Sequence, residues 1–265
     1  MNNCFLYLLH SSEEDIRDFH KSISLLYEHY LKDFPCDVLL FHEKDLDWGK
    51  FQLPPNITFI KCPLQFSIPS FLPTDNIPEF FPHPTHGPGG PHDCGHKGFT
   101  LGYRHMCGFF AGAMYNEYIL QKYDYYCRLD TDSFILRKIG FDIFEKMAGG
   151  NYIYGYMRDA VQLDNPAVIR DLWTSVEKYA NSQNKSIQHI PEGTMYYTNF
   201  ELGKVDWFIQ NYMGFFDYVD RTGGIYTKRW GDAPIKYLGI NLLAKPERLW
   251  AITEIAYEHG GIYNF

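Results

Sequence analysis

The chain has 265 residues, of which 45% are hydrophobic and 18% aromatic, and it carries a formal net charge of −8 with His neutral. That much apolar material excludes intrinsic disorder and suffices for the core of a single α/β domain spanning 1–265. The acidic balance and the lack of any basic run exclude a nucleic-acid stripe, so a bound anion would need a metal or local Arg residues.

No stretch approaches the roughly 18 to 20 apolar residues of a membrane span, and the start Met-Asn-Asn-Cys-Phe-Leu-Tyr lacks the charged region of a signal peptide. The sequence therefore reads as soluble, without export signal or anchor, and cytoplasmic by default. Cys4 to His10 reads as a first strand. Ser11 or Ser12 can cap the helix that follows, with Glu13, Glu14 and Asp15 in the first turn, where the helix dipole favours anions. Ile16, Phe19, Ile23, Leu26 and Tyr30 recur at helical spacing. Asp37 to Phe41 and Ile57 to Cys62 are the next strands. This order predicts a βαβ start and a mainly parallel sheet, whose ligand should lie beyond the carboxyl ends of the strands.

Ser67 to Lys97 is rich in Pro, Gly and His. His83, His86, His92, Cys94 and His96 fit no standard zinc spacing, so the segment reads as a rigid surface or lid loop. Gly98 to Gln121 reads as one long helix with Met106, Phe109, Phe110, Ala113 and Met114 on its core face. Near its start, Arg104 stands where a helix N-terminus favours phosphate, or else pairs with a surface carboxylate. The scattered cysteines, with no C-x-x-C pair, read as reduced and buried, although their even number permits disulfides in a luminal domain.

From Tyr123 to Leu136 an aromatic, β-prone run passes through Arg128 to Asp130 and Asp132. Side chains alternate on a strand, so the two carboxylates should point the same way where the strand gives out. Held that close they favour a hard cation, Mg²⁺ or Mn²⁺, which keeps positions open for phosphate oxygens. The competing reading is a plain Asp-Thr-Asp-Ser turn. Gly149 to Met157 reads as a strand and Pro166 to Ala180 as an amphipathic helix. Tyr197 to Gly203 places Asn199 and Glu201 in β-like alternation. Arg229, Trp230 and Asp232 fall in a Gly-rich turn before a helix from Pro234 to Leu243, which Asp232 can cap. His259 is by default a surface imidazole.

Several of these pieces stand in the order found in one family. Tyr103-Arg104-His105-Met106-Cys107, Tyr123-Asp124-Tyr125-Tyr126 with Arg128, Asp171-Leu172-Trp173, Asn199-Phe200-Glu201, Arg229-Trp230-Gly231-Asp232-Ala233-Pro234 and Tyr257-Glu258-His259 together resemble the fungal α-1,2-mannosyltransferases of glycosyltransferase family 15. The resemblance covers about residues 98–265.

It implies a GT-A-like, Rossmann-like fold, a GDP-mannose donor, a mannoside or other glycan acceptor, a Mn²⁺ ion with Mg²⁺ as the substitute, and transfer with retention. By position, Asp130 and His259 fall on metal ligands, and Asp132 can join them. Glu201 falls on the carboxylate that faces the anomeric carbon, Asp232 on an active-site aspartate, and Tyr103 on a donor-side tyrosine. Arg104, Arg128, Asn199, Arg229 and Trp230 complete the expected donor and substrate contacts. The chain has Asp130-Thr131 where the family has Glu followed by Pro, and Lys228 where it has Glu. If the chain is the trimmed catalytic domain of such an enzyme, its place is the Golgi lumen. The alternatives at this level are a transferase for another nucleotide sugar and a silent carbohydrate-binding protein.

Overall fold

The structure, a computed structural model, describes residues 1–81, 99–260 and 262–264. Its first unit follows from the N-terminal pattern. Strand β1 (Asn3–Leu9) is followed by helix α1 (Glu13–Leu26), whose N-cap Ser12 accepts a hydrogen bond from the Asp15 amide at 3.1 Å. Strands β2 (Asp37–Glu43) and β3 (Phe59–Leu64) then pair in parallel beside β1.

Helix α2 (Leu101–Ala111) precedes β4 (Tyr125–Leu129) and the short strand β5 (Ser133–Ile135). Next come α3 (Ile143–Gly149), β6 (Tyr154–Met157), α4 (Leu172–Ser182), β7 (Phe200–Lys204), α5 (Met213–Arg221), α6 (Asp232–Leu243), β8 (Leu249–Ile252), β9 (Tyr257–His259) and β10 (Ile262–Asn264). The main sheet has seven strands in the order β8-β6-β7-β4-β1-β2-β3. Strand β7 runs antiparallel to its neighbours β4 and β6, and the remaining pairs are parallel, so the sheet is mixed and mainly parallel as the sequence predicts.

Strand alternation sorts the core into two layers. Cys4 and Leu6 of β1 join the α2, α4, α5 and α6 side of the sheet, while Phe5, Tyr7 and Leu9 join the α1 and α3 side. Burying a side chain such as Phe19 contributes about 1.5–3 kcal/mol, so apolar packing on both faces anchors the sheet whose strand ends carry the site.

Several element boundaries differ from expectation, among them the start of α6, where Asp232 is the first helical residue behind Gly231 and does not cap the helix. The helix expected to run to Gln121 stops at Ala111, because the Phe216 ring packs onto Gly112 so closely that a Cβ there would lie 2.2 Å from it. The strand expected from Gly149 begins at Tyr154, since the preceding residues close α3 and turn through Asn151 at φ 53°. Helix α4 begins at Leu172 and not at Pro166, after Asp171 adopts a left-handed φ of 64°. His83, His86, His92, Cys94 and His96 lie outside the described residues. Cys4, Cys36, Cys62, Cys107 and Cys127 are free thiols. Among the described residues no helix is long and apolar enough to cross a membrane.

Candidate active site

Strand β4 ends at Leu129, and the chain turns at once through Asp130, Thr131 and Asp132, with the Ser133 amide bonded to the Asp130 carbonyl at 3.0 Å. The turn and the carboxylate pair are therefore one feature. Strand β5, which leaves this turn, pairs antiparallel with β9 so that His259 lies opposite Ser133. That register brings a residue from the far end of the sequence to the pair: His259 Nε2 stands 3.0 Å from Asp132 Oδ1.

Asp130, Asp132 and His259 each offer one ligand atom, and these atoms lie within 4.8 Å of one another. Two carboxylate oxygens and an imidazole nitrogen, all half-buried, fit a borderline-hard divalent cation such as Mn²⁺. The other ring nitrogen is also engaged, with the Tyr197 hydroxyl at 2.9 Å and Asn199 Nδ2 at 3.0 Å, which fixes the plane of the ring. Burial pushes the His259 imidazole down, but the hydrogen bond to Asp132 and the charges of Asp130 and Asp132 carry it above its ordinary value. The Asp132 carboxyl is pushed up by burial and drawn below its ordinary range by the same bond.

Behind this trio lies a buried line of charge. Arg128 donates through Nε to Asp130 Oδ1 at 2.9 Å and through a terminal nitrogen to Asp232 Oδ2 at 2.6 Å. Its guanidinium sits 3.4 Å from the centre of the Phe110 ring. The Thr198 hydroxyl donates to the same Asp232 oxygen at 2.7 Å. Burial alone would raise the Asp232 carboxyl, yet the Arg128 charge and hydrogen bond outweigh it and hold the group below the usual carboxylate range.

Two adjoining hollows open here and share Tyr103, Met106, Asp130 and Asp132. One follows the carboxyl ends of β1 and β2 past His10, Asp15, Glu43 and Phe66, the position a nucleotide takes in an open α/β sheet. The other is walled by Arg128, Asn199, Arg229, Asp232 and His259. Arg229 holds a left-handed φ of 65°, donates to the Tyr103 hydroxyl at 2.8 Å and lies 3.7 Å over the Phe99 ring. A non-glycine residue in that conformation stores strain that the surrounding contacts must offset.

Three expected site residues are not in these walls. Arg104 is fully buried and donates to the backbone carbonyls of Thr100, Tyr226, Pro78 and Glu79, and among the described residues it has no carboxylate partner. It ties the start of α2 to two loops. Trp230 is buried too, its ring against Gly224 and its indole N–H on the Arg170 carbonyl at 2.8 Å. Glu201 stands two residues further into the sheet than Asn199, opposite Arg128, with no exposed surface. Its Oε1 takes Lys236 Nζ and the Tyr126 hydroxyl, the latter at 3.1 Å, and its Oε2 takes the Tyr154 hydroxyl at 2.8 Å. Where the resemblance expects Glu201 to face the anomeric carbon, this structure encloses its carboxylate beneath the cavity, because the strand continues inward past Asn199.

Sequence reasoning passed over Tyr197, Thr198 and Asp164 in the walls and Lys236 beneath them. Lys236 left a readable sign, a lone charge within the apolar run Ala-Pro-Ile-Lys-Tyr-Leu-Gly-Ile. Such a charge has no stable place in a buried helix without a partner.

Comparison with known proteins places this geometry in context. A family model described as glycolipid 2-alpha-mannosyltransferase matches residues 1–265. The O-glycoside alpha-1,2-mannosyltransferase omh1 of Schizosaccharomyces pombe is 32% identical over 173 residues, covering 60% of this chain and 44% of that protein. The alpha-1,2 mannosyltransferase KTR1 of Saccharomyces cerevisiae is 29% identical over 176 residues, covering 61% of this chain and 44% of that one. The chain thus matches less than half the length of these relatives. The crystal structure of mannosyltransferase Ktr4p from S. cerevisiae in complex with GDP superposes with a TM-score of 0.81 at 21% identity, over 99% of this chain and 72% of that chain. Core-mannan synthase A from Aspergillus fumigatus, in its Mn/GDP form, gives a TM-score of 0.81 at 19% identity, over 100% of this chain and 76% of that one. The fold is the GT-A-like arrangement of those enzymes.

Proposed function

Because the chain belongs to the glycolipid 2-alpha-mannosyltransferase family, we propose that residues 1–265 form one catalytic domain that moves mannose from GDP-mannose to a hydroxyl of a mannoside or related glycan. The linkage is α-1,2, the anomeric configuration is retained and a divalent cation, Mn²⁺ before Mg²⁺, takes part. The observation that carries the reading is the meeting of Asp130, Asp132 and His259 in the wall of one cavity, beside the hollow at the ends of β1 and β2. The GDP bound by the Saccharomyces cerevisiae enzyme and the Mn/GDP form of the Aspergillus fumigatus one support the same ligands for this chain.

The residues divide the work by charge. Asp130, Asp132 and His259 would hold the cation, which when bound supplies Lewis acidity toward the diphosphate. Tyr197 and Asn199 orient the His259 ring from its far nitrogen. Tyr103 and Arg229, bonded to each other at the junction of the two hollows, present a hydroxyl and a guanidinium to the donor's phosphates. Arg128 stands between Asp130 and Asp232, bonded to both, and holds the Asp232 carboxyl below its ordinary range. Asp232 offers negative charge where the sugar must develop positive charge.

The test is a donor screen with the purified chain, Mn²⁺, a panel of nucleotide sugars and detection of released nucleotide with and without an α-mannoside. The expected result is GDP release from GDP-mannose, stimulated by the mannoside and lost on chelation. Release from a different donor would overturn the sugar assignment while keeping the metal chemistry. No release from any donor by a folded protein would favour a carbohydrate-binding protein on this fold.

A further inference from the structure

Besides the expected metal ligands Asp130 and Asp132, and Asp164 beside Arg229, two acidic groups stand at or beneath the cavity wall, Asp232 and Glu201, and their surroundings differ. Glu201 has both oxygens occupied, by Lys236 and Tyr126 on one and Tyr154 on the other, and it has no exposed surface. Its partner Lys236 is equally enclosed. Asp232 lines the cavity. Its Oδ2 is held by Arg128 and Thr198, and its Oδ1 has no hydrogen-bond partner among the described residues. Asp232 and Lys236 lie four residues apart on α6, hence on one face of the helix, one turn above the other. The helix therefore delivers its first charge to the cavity and its second to Glu201 on β7.

We propose that Asp232 is the carboxylate that meets the sugar carbon in this chain, and that Glu201, locked to Lys236, is a positioning residue that fixes the height of α6 against the sheet. This rests on the mannosyl-transfer reading above. A carboxylate that neutralises a buried lysine and accepts two phenol hydrogen bonds cannot approach a ligand without leaving that lysine as an uncompensated charge. The clamp instead ties β7 to α6 and so sets where Asp232 stands relative to the ends of β4 and β7. In the transfer, the bond from C1 of mannose to the diphosphate oxygen breaks with its electron pair remaining on GDP. The acceptor oxygen bonds to C1, and the acceptor's proton leaves with the diphosphate. Asp232 Oδ1 faces the positive charge that C1 carries between those events.

The test compares three proteins with Mn²⁺, GDP-mannose and an α-mannoside: the parent, Asp232→Asn, and the double variant Glu201→Gln with Lys236→Met, which removes both charges of the clamp. If the parent itself transfers nothing, the functional reading fails and the present assignment is not what was refuted. Given an active parent, Asp232→Asn is expected to bind Mn²⁺ and GDP within about threefold of the parent while losing about a hundredfold or more in kcat. The folded double variant is expected to keep kcat within roughly tenfold of the parent, its loss appearing in the melting temperature. A double variant that melts cooperatively and binds GDP but turns over no faster than Asp232→Asn would overturn the assignment. So would near-parent turnover by Asp232→Asn, or loss of its GDP binding. If the double variant does not fold, the split between kcat and GDP binding in Asp232→Asn decides alone.

Discussion

Replacing Arg128 by Met tests the charge line beneath the cavity most directly. The guanidinium is 2% exposed and holds two carboxylates, Asp130 at 2.9 Å and Asp232 at 2.6 Å, with its flat face 3.4 Å from the Phe110 ring centre. Methionine fills much of the volume and keeps contact with Phe110, so the loss is electrostatic. Asp130 is partly open to solvent and can be hydrated, whereas Asp232 is 6% exposed and would be left as a buried charge with only Thr198 as a close partner. Breaking a buried pair in this way costs about 3–5 kcal/mol, which for a chain of this size is on the order of 10 °C in Tm.

The pH dependence follows from Asp232. In the parent its carboxyl is held below the ordinary range, so the pair contributes stability above the unfolded pKa that is lost as pH falls through the lower folded value. In the variant the Thr198 hydrogen bond and the Lys236 charge remain, but without Arg128 burial pushes the carboxyl up from its value in the parent, and the variant loses less than the parent as pH falls. The deficit should therefore be largest near neutral pH and narrow as pH falls. Urea or thermal unfolding at several pH values, in the absence of metal, measures it. A deficit under about 1 kcal/mol at neutral pH, or one that widens in acid, would refute the argument.

Asp130→Asn and His259→Ala should each weaken Mn²⁺ binding by at least about tenfold without unfolding the chain; unchanged calorimetric titrations would remove that residue from the metal site. Gly203→Ala should cost about 1–3 kcal/mol, because a Cβ there would lie 2.3 Å from the Tyr126 ring that supports Glu201; a melting temperature equal to the parent's would show that the ring moves freely. Burial, helped by Asp217, pushes the Asp220 carboxyl up to about 6. A raised carboxyl costs stability once it must ionise, so Asp220→Asn should melt higher than the parent above that pH and lose its advantage as pH falls toward 4; a constant difference across that range would count against the shift.

Much of the fold was legible in the sequence because its signals are local. The short apolar run Cys4 to Leu9 and the helical spacing from Ile16 to Leu26 identify elements whatever surrounds them, and Ser12 caps its helix through a residue three places away. The boundaries that moved did so through distant contacts, as where Phe216 packs on Gly112. The pair Asp130 and Asp132 could be found from a strand pattern ending in carboxylates, and the family resemblance pointed to His259 and Asp232. Membership of a motif, however, does not say where a residue lies, and Arg104, Trp230 and Glu201 are buried and line neither hollow.

The sequence by itself determined the class of sheet, the strand that carries the acidic turn, and the residue types available for a cation and a diphosphate. Tertiary structure decided which of those residues share a cavity. Strand β9 must pair with β5 before His259 can stand beside Asp132, 127 positions apart by the numbering. Likewise α6 must dock on the sheet before Asp232 turns to the cavity and Lys236 to Glu201. The reason is desolvation. A charge is neutralised, exposed or enclosed according to partners that folding brings from remote parts of the chain, and no spacing along the chain records that.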